Sequence, residues 1–503
     1  MKNQKLLGLA LVAGLAVTTL GCNKENFLNV NTTPNSPTSV TMPVLFSGIM
    51  VNTAFMVTND YGRTTSLLVQ HYAGLANQPV TYDTYNLRGS FDNQWNGELY
   101  NGSLINSQLL IDLSVTKSSP AYGGIAKLIK AYNFAVATDL YGDIPYSQAL
   151  LGNANLHPRY DKQENIYKGN ASLGIQGLLD LVKEGLADLD KSSLAKPGAA
   201  DDIVYGKTAN NIAQWKKMGN TLLLKLANTI SKKEPALAVS IINQAAAGAF
   251  TTNADDFEVP FGSATGNQNP LYNYNFVTRQ DDQMLSQRLL DSMAVRNDPR
   301  LPVYFNTTPT STLATTTTVG IFTGYQNGGG FTQAPRANRS RYNTYIRGAT
   351  GEAPARILTN AQRLFILAES ALALPGVTVT GTPQSLYQDA IRASMTKAGV
   401  TDAAVTAYFL ANPKVATLSG SVEQKRNQII TQKWISSVGN GLEPYNDYRR
   451  TGYPRLAPVF NPGGDDGTFP KRFVYPLSEL NANVGAENQN PNVRTSEPVW
   501  WAN

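Results

Sequence analysis

Apolar residues recur along this chain at three- and four-residue steps in several separated stretches, the spacing that lines one face of a helix. The clearest stripe is Ile125, Leu128, Ile129, Tyr132, Ala135 and Val136. Its helix has to end near Gly142, which takes left-handed backbone at no steric cost, and Pro145, which cannot continue a helix and pushes Ile144 toward extended geometry. Similar stripes are Ile175, Leu178, Leu179, Val182, Leu186 and Leu189, then Trp215, Met218, Leu222, Leu226 and Ile230. A further one, Leu237, Ile241, Ile242, Ala245 and Ala246, opens after Pro235, a residue suited to a helix start.

Earlier in the chain, 44–76 is apolar and helix-compatible, and Trp95, Leu99, Leu104, Ile105, Leu109 and Leu110 resume helical spacing. Helices are again expected at 360–374, 385–397, 403–410 and 423–438. Neighbouring amphipathic hairpins bury their stripes by stacking, as tetratricopeptide-type arrays do, although no strict 34-residue period runs through the sequence.

The stretch 250–357 breaks the pattern. It is rich in Gly, Pro, Asn and Thr, carries Thr315-Thr-Thr-Thr318 and Gly328-Gly-Gly330, and interleaves aromatics, with one helix expected at 284–294. Long loops of this kind inserted in a helical scaffold are uncommon unless they do something. The tail 443–503 reads as loop. The expected fold is mainly α, a tetratricopeptide-like scaffold of helical hairpins with long inserted loops and a few short strands. The scaffold spans 43–249 and 358–440, the insertion 250–357 and the C-terminal segment 441–503, all within one domain, 43–503.

With 503 residues, 42% hydrophobic and 16% charged, the chain buries a large core and is too apolar for disorder. The formal charge of +6 is mild for this length and scattered in short pairs such as Lys216-Lys217 and Arg449-Arg450, which argues against a nucleic-acid groove. Lys2 and Lys5, the apolar run Leu6 to Leu20 and the small Gly21 form an export signal, residues 1–21, too short to span a bilayer. Cys22 is the only cysteine and follows that run directly, so it is the expected lipid attachment site, weighed against a chance free thiol. Residues 22–42, broken by Pro34 and Pro37, read as a tether.

Catalysis has little support. A triad or a histidine-based metal site would need His71 or His157, and neither has motif context, so no catalytic residue, metal or cofactor is expected. His71 reads as a packed core residue beside Tyr72, and Trp95, Trp215 and Trp434 as core. Trp500 and Trp501 read as docking the terminus. Sugar capture asks for flat aromatic faces beside planar hydrogen-bonding groups. That composition occurs in the loop with Tyr82, Tyr85 and Arg88, and in the central loops with Tyr272, Tyr274, Tyr325, Asn327, Phe331, Arg339 and Tyr342. Each competes with the reading that aromatics plug loops onto the scaffold.

Motifs in fixed order add a resemblance. Asp139-Leu-Tyr-Gly-Asp-Ile-Pro-Tyr146, Asp202-Ile-Val-Tyr-Gly206 followed by Trp215-Lys-Lys217, Arg296-Asn-Asp-Pro-Arg-Leu-Pro302, Tyr448-Arg-Arg-Thr-Gly-Tyr-Pro454 and Arg472-Phe-Val-Tyr-Pro-Leu-Ser-Glu479 resemble the signatures of the SusD/RagB-like outer-membrane nutrient-binding lipoproteins. In one departure, Thr19 stands three residues before Cys22, where the lipoprotein box usually has Leu. The resemblance implies a lipid-anchored protein on the exterior of the outer membrane that binds oligosaccharides, or peptides, and serves a SusC-like TonB-dependent transporter. The alternatives are a surface-anchored glycan hydrolase and a ligand-free structural subunit of that transporter. The motif around Asp139 itself reads as a scaffold joint, its aspartates satisfying backbone donors in the turn.

Overall fold

The longer helices form where the apolar stripes place them. The computed structural model describes residues 40–280, 282–308, 320–329, 338–484 and 493–502, and Met42–Asn503 make one compact unit. The expected signal, Cys22, nearly all of the tether and Phe331 lie outside the described residues. The α-helices of nine residues or more among the described residues are α1 Met42–Thr58, α2 Asp60–Leu68, α3 Ile105–Thr116, α4 Pro120–Tyr141, α5 Leu178–Asp188 and α6 Asn211–Ile230, followed by α7 Pro235–Ala245, α8 Asn360–Ala373, α9 Pro383–Lys397, α10 Asp402–Ala411, α11 Val422–Ser436 and α12 Leu442–Thr451, and a wider π-helical coil, Gln94–Leu104, leads into α3. Their ends follow local chemistry. Proline sits in the first turn of α4, α7 and α9, and Thr382 and Ser421 close capping boxes on α9 and α11. Gly142 terminates α4 at φ 81°.

Consecutive helices α3 and α4, α6 and α7, and α8 and α9 pack as hairpins, with α5 laid on α4 and α11 on α8. The α4–α5 crossing is close because both helices present glycine there: a methyl group on Gly185 would lie 2.8 Å from the carbonyl oxygen of Gly124. Trp95, Trp215, Trp434 and Trp501 are all fully buried.

The short strands pin the loops to this scaffold. β1 Tyr72–Gly74 pairs antiparallel with β5 Gln283–Leu285, β2 Ile144–Pro145 with β3 Tyr160–Asp161, and β4 Phe257–Val259 with β6 Ala355–Leu358. Since β4 opens the central insertion and β6 closes it, the insertion leaves and re-enters the scaffold at one place. The apolar stretch 44–76 therefore breaks into two helices and a strand, and 284–294 into β5 and the helix Gln287–Ala294, because Tyr72, Met284 and Leu285 find ladder partners that helical spacing does not reveal.

The larger correction concerns the tail. Expected as loop from Glu443 onward, it begins with α12, whose buried residues include Glu443, Asn446, Asp447 and Arg449. A hydrophobic period cannot show a helix that buries charge. The charges are buried because α12 meets the C-terminal end of α4. The last four carbonyls of any helix lack intrahelical partners, and here each has one: Thr138 accepts from Gly142 N–H at 2.8 Å, Asp139 from Arg449 Nη1 at 2.6 Å, Leu140 from Phe473 N–H at 2.7 Å, and Tyr141 from Arg472 Nη2.

The Asp139 side chain does not satisfy the turn either. It is buried and accepts hydrogen bonds from the Tyr167 hydroxyl at 2.6 Å, the Trp501 indole at 2.9 Å and the Asn446 amide at 2.8 Å, with Lys225 Nζ 3.5 Å away. Only Asp143 caps the turn, taking Gln163 N–H at 2.8 Å and Lys162 Nζ at 2.8 Å.

Around Asp139 a buried network of opposite charges extends through Lys225 to Glu443, Lys433 to Asp447, and Arg450 to Glu369. Arg450 grips Glu369 bidentately at 2.6 and 2.7 Å. Although burial opposes ionisation of both, the pair holds Glu369 below and Arg450 above their ordinary ranges. Removing one member of such a buried set leaves its partners unpaired. Asp139→Ala should therefore lower the free energy of unfolding in urea by about 3–5 kcal/mol; a loss no greater than that of an exposed aspartate would contradict the assignment.

Candidate functional site

The loop that enters the central insertion carries a short helical turn, Pro270–Tyr272, continued as a wider coil over Asn273–Thr278. Its start is fixed by Asn269, whose side chain accepts from Leu271 N–H at 2.8 Å and donates to the Ala353 carbonyl at 2.8 Å, while Pro270 takes the first helical position. Leu271 and Asn275 turn inward and are buried, which leaves Tyr272, Asn273, Tyr274 and Phe276 partly exposed on the outer side. Tyr272 and Phe276 stack with ring centroids 5.8 Å apart, and the Arg347 and Arg341 guanidiniums lie 4.1 and 4.4 Å from the Phe276 ring centre.

Tyr274 is held from two sides. Its hydroxyl donates to Asp282 at 3.0 Å, and the Arg63 guanidinium from α2, paired with Asp60, lies 3.4 Å from its ring centre. Burial pushes the phenol up to about 12, so it remains a neutral donor. Asp282 in turn accepts from the Asn77 amide at 2.8 Å.

In front of this ring opens a cleft of about 340 Å³ lined by Tyr274, Asn273, Gln268 and Thr278 from the insertion and Phe55 and Asn59 from α1 and its end. The Asn59 amide donates to Glu98 at 2.6 Å and the Gln268 amide to the Thr350 carbonyl at 2.7 Å, so these two are held in place with their oxygens as acceptors, and an aromatic ring beside such planar amides can stack on one face of a flat polar ligand and order its hydroxyls. The volume lies at the lower end of the range for small-ligand sites. Two other hollows are smaller. The cavity lined by Asp256, Lys397 and Gln362 holds about 40 Å³, room for only a few waters. The one beside Tyr85 and Arg88 holds about 160 Å³, and Arg88 there is engaged with Asp465 at 2.9 Å.

Of the residues expected to bind, Tyr272 and Tyr274 come together in this region and the others do not join them. Tyr82 is buried and stacked on Phe91 at 5.4 Å. Tyr342 is buried with its ring centre 3.8 Å from that of Tyr72, and Tyr85 and Arg339 are buried too. Asn327 is buried as a pin, donating to the Tyr72 carbonyl at 2.7 Å and to Asp83 at 2.6 Å while accepting from Ser286. Tyr325 is partly exposed and pairs its backbone with Leu285 and Gln287. Sequence reasoning missed Asn59, Gln268 and Asn273. Asn273 had a signal, lying between the two tyrosines; Asn59, far away in sequence, had none.

Residues 34–476 match a family model described as SusD-like, starch-binding and associating with the outer membrane. The chain belongs to the SusD-like family. No curated protein matches it. Solved SusD homologues from Bacteroides fragilis and Bacteroides uniformis are each 24% identical, with TM-scores of 0.75 and 0.73, covering 92% and 91% of this chain and 100% and 99% of their own. A SusD homologue from Flavobacterium johnsoniae described as chitin-binding is 23% identical at a TM-score of 0.74, covering 92% of this chain and 98% of its own. At these identities the likeness shows the SusD-like fold alone.

Neither histidine of this SusD-like chain offers a base to the cleft. His157 is exposed, and His71 is buried with Nε2 2.9 Å from the Trp434 carbonyl and its ring 5.3 Å from the Trp434 ring. Among the described residues no cluster of His, Cys, Asp and Glu could hold a metal. Burial keeps His71 neutral, down to about 3 against an ordinary 6.5. The unfolded chain thus takes up this proton first as pH falls, and His71 costs the fold stability progressively from about 6.5 to about 3. His71→Gln keeps a donor for the Trp434 carbonyl but cannot titrate. In urea denaturation at stepped pH the variant should gain on the wild type across that window; a constant difference would contradict it.

Proposed function

We propose that this chain is an outer-membrane glycan-binding lipoprotein that captures an oligosaccharide on the Tyr274 cleft and serves a SusC-like TonB-dependent transporter. The observation that carries this is the juxtaposition of the Tyr274 ring with the Asn59, Gln268 and Asn273 amides in one open cleft. A sugar ring has an apolar CH face and a rim of hydroxyls, and the cleft supplies a partner for each. The family's description as starch-binding, and the chitin-binding description of a structural relative, support a glycan. Membrane attachment rests on Cys22 directly after the export signal, and the transporter partnership on family membership.

The magnitudes fit capture rather than retention. One aromatic contact contributes about 0.5–1.5 kcal/mol and each neutral hydrogen bond about 0.5–1.5 kcal/mol. A single ring held by one tyrosine and three amides would then bind with a dissociation constant on the order of a millimolar. Weak, rapidly reversible binding suits a protein that must release its cargo.

Isothermal titration of the chain lacking its signal, against maltooligosaccharides and chitooligosaccharides, should detect binding by at least one series. Tyr274→Ala should weaken that binding on the order of tenfold, and Asn273→Ala by less. Binding unaffected by both, or none to any glycan, would defeat the reading; release of new reducing ends would favour a hydrolase. In cells, Cys22→Ala should move the protein out of the membrane fraction, and lipid labelling that persists in the variant would contradict the anchor.

A further inference from the structure

A second cleft, of about 360 Å³, has different chemistry. Arg288 and Ser292 share one face of the helix Gln287–Ala294, and Arg296 follows in the turn just after it. Arg288 Nη1 donates to the Ser292 hydroxyl and Arg296 Nη1 to the Ser292 carbonyl, so two guanidiniums converge on one residue. Arg455, from the segment after α12, adds a third, and its carbonyl accepts from Arg288 Nε at 2.8 Å. Asn427 and Thr431 of α11 form the facing wall, and the Arg288 guanidinium rests 5.6 Å from the Trp434 ring centre.

Among the described residues no carboxylate forms an ion pair with these arginines. Elsewhere Arg63, Arg300 and Arg450 are each paired with a carboxylate. Among the described residues, the Arg288 and Arg296 guanidiniums meet only hydroxyl, carbonyl and ring partners. The one acid of the cleft, Asp291, is exposed and accepts from the Gln287 amide at 2.7 Å. Partial burial, first, and the like charge of Arg296 lower the pKa of Arg288, and the exposed Asp291 offsets this only in part.

We propose that this cleft binds the oxyanion of an acidic sugar, a uronic acid carboxylate or a sulfate ester. Guanidiniums present paired donors that match such groups bidentately, while Asn427 and Thr431 can order neighbouring hydroxyls. The concave shape and volume fit a small ligand. The proposal stands apart from the Tyr274 cleft, which carries amides where this one carries cations.

The test is titration of the protein with glucuronic acid and N-acetylglucosamine 6-sulfate, each beside its neutral counterpart, glucose or N-acetylglucosamine, in low- and high-salt buffer. At least one acidic sugar should bind more tightly than its neutral counterpart and lose affinity in high salt. Binding by glucuronic acid alone assigns a carboxylate, and by the sulfated sugar alone a sulfate ester. Arg296→Gln and the exposed Arg455→Glu should each weaken this binding on the order of tenfold or more. Both should leave the melting temperature and the oligosaccharide affinity of the Tyr274 cleft unchanged. No acidic sugar bound in low salt, or binding indifferent to both substitutions, would overturn the proposal.

Discussion

The C-terminal end of α4 is the constraint on which the rest of the structure depends. A 22-residue helix that runs through the core and stops inside it leaves carbonyls that water cannot reach. Their partners come from Gly142, Arg449, Arg472 and Phe473, and the adjoining Asp139 carboxylate is served by Tyr167, Asn446 and Trp501. Positive guanidiniums at a helix C-terminus also meet its negative dipole end favourably. Most of these donors lie some 300 residues downstream, so the first half of the chain is complete only when the last sixty residues close over it. The sequence signatures beginning at Asp139, Tyr448 and Arg472 occur together because they form one contact.

That closure transmits to the central insertion through a few ties. β4 and β6 bring both ends of the insertion to one point, β1 and β5 hold its middle, and Asn269 locks the turn that carries Tyr274. Arg63 and Asp282 then fix the tyrosine ring itself. A cleft held this way is formed before a ligand arrives, and binding need not order it first.

What the sequence made legible follows the same physics. Helices with apolar buried faces, such as those carrying Ile125 or Trp215, declared themselves by period, and Gly142 and Pro145 by their backbone limits. α12 did not, because it buries Glu443, Asn446, Asp447 and Arg449 beside Leu442 and Tyr445, and a largely polar stripe reads as solvent-facing. Asp139 was misjudged for the same reason: nothing local marks a carboxylate whose partners are distant. In the loops, composition located the aromatics but could not separate a plug from a platform. Tyr82 and Tyr342 are plugs, Tyr274 borders an open cleft, and the difference lies in tertiary neighbours such as Asn59 and Phe91.

The SusD-like scaffold thus presents two clefts of similar size and unlike chemistry, one aromatic and amide-lined, the other basic. The central claim, that a neutral oligosaccharide is taken by the first, is tested most directly by a crystal structure of the protein with a bound maltooligosaccharide or chitooligosaccharide. The account predicts a sugar ring against Tyr274, hydrogen-bonded to Asn59, Gln268 or Asn273, on an unmoved scaffold. A glycan seated elsewhere, with the Tyr274 cleft empty, would contradict it.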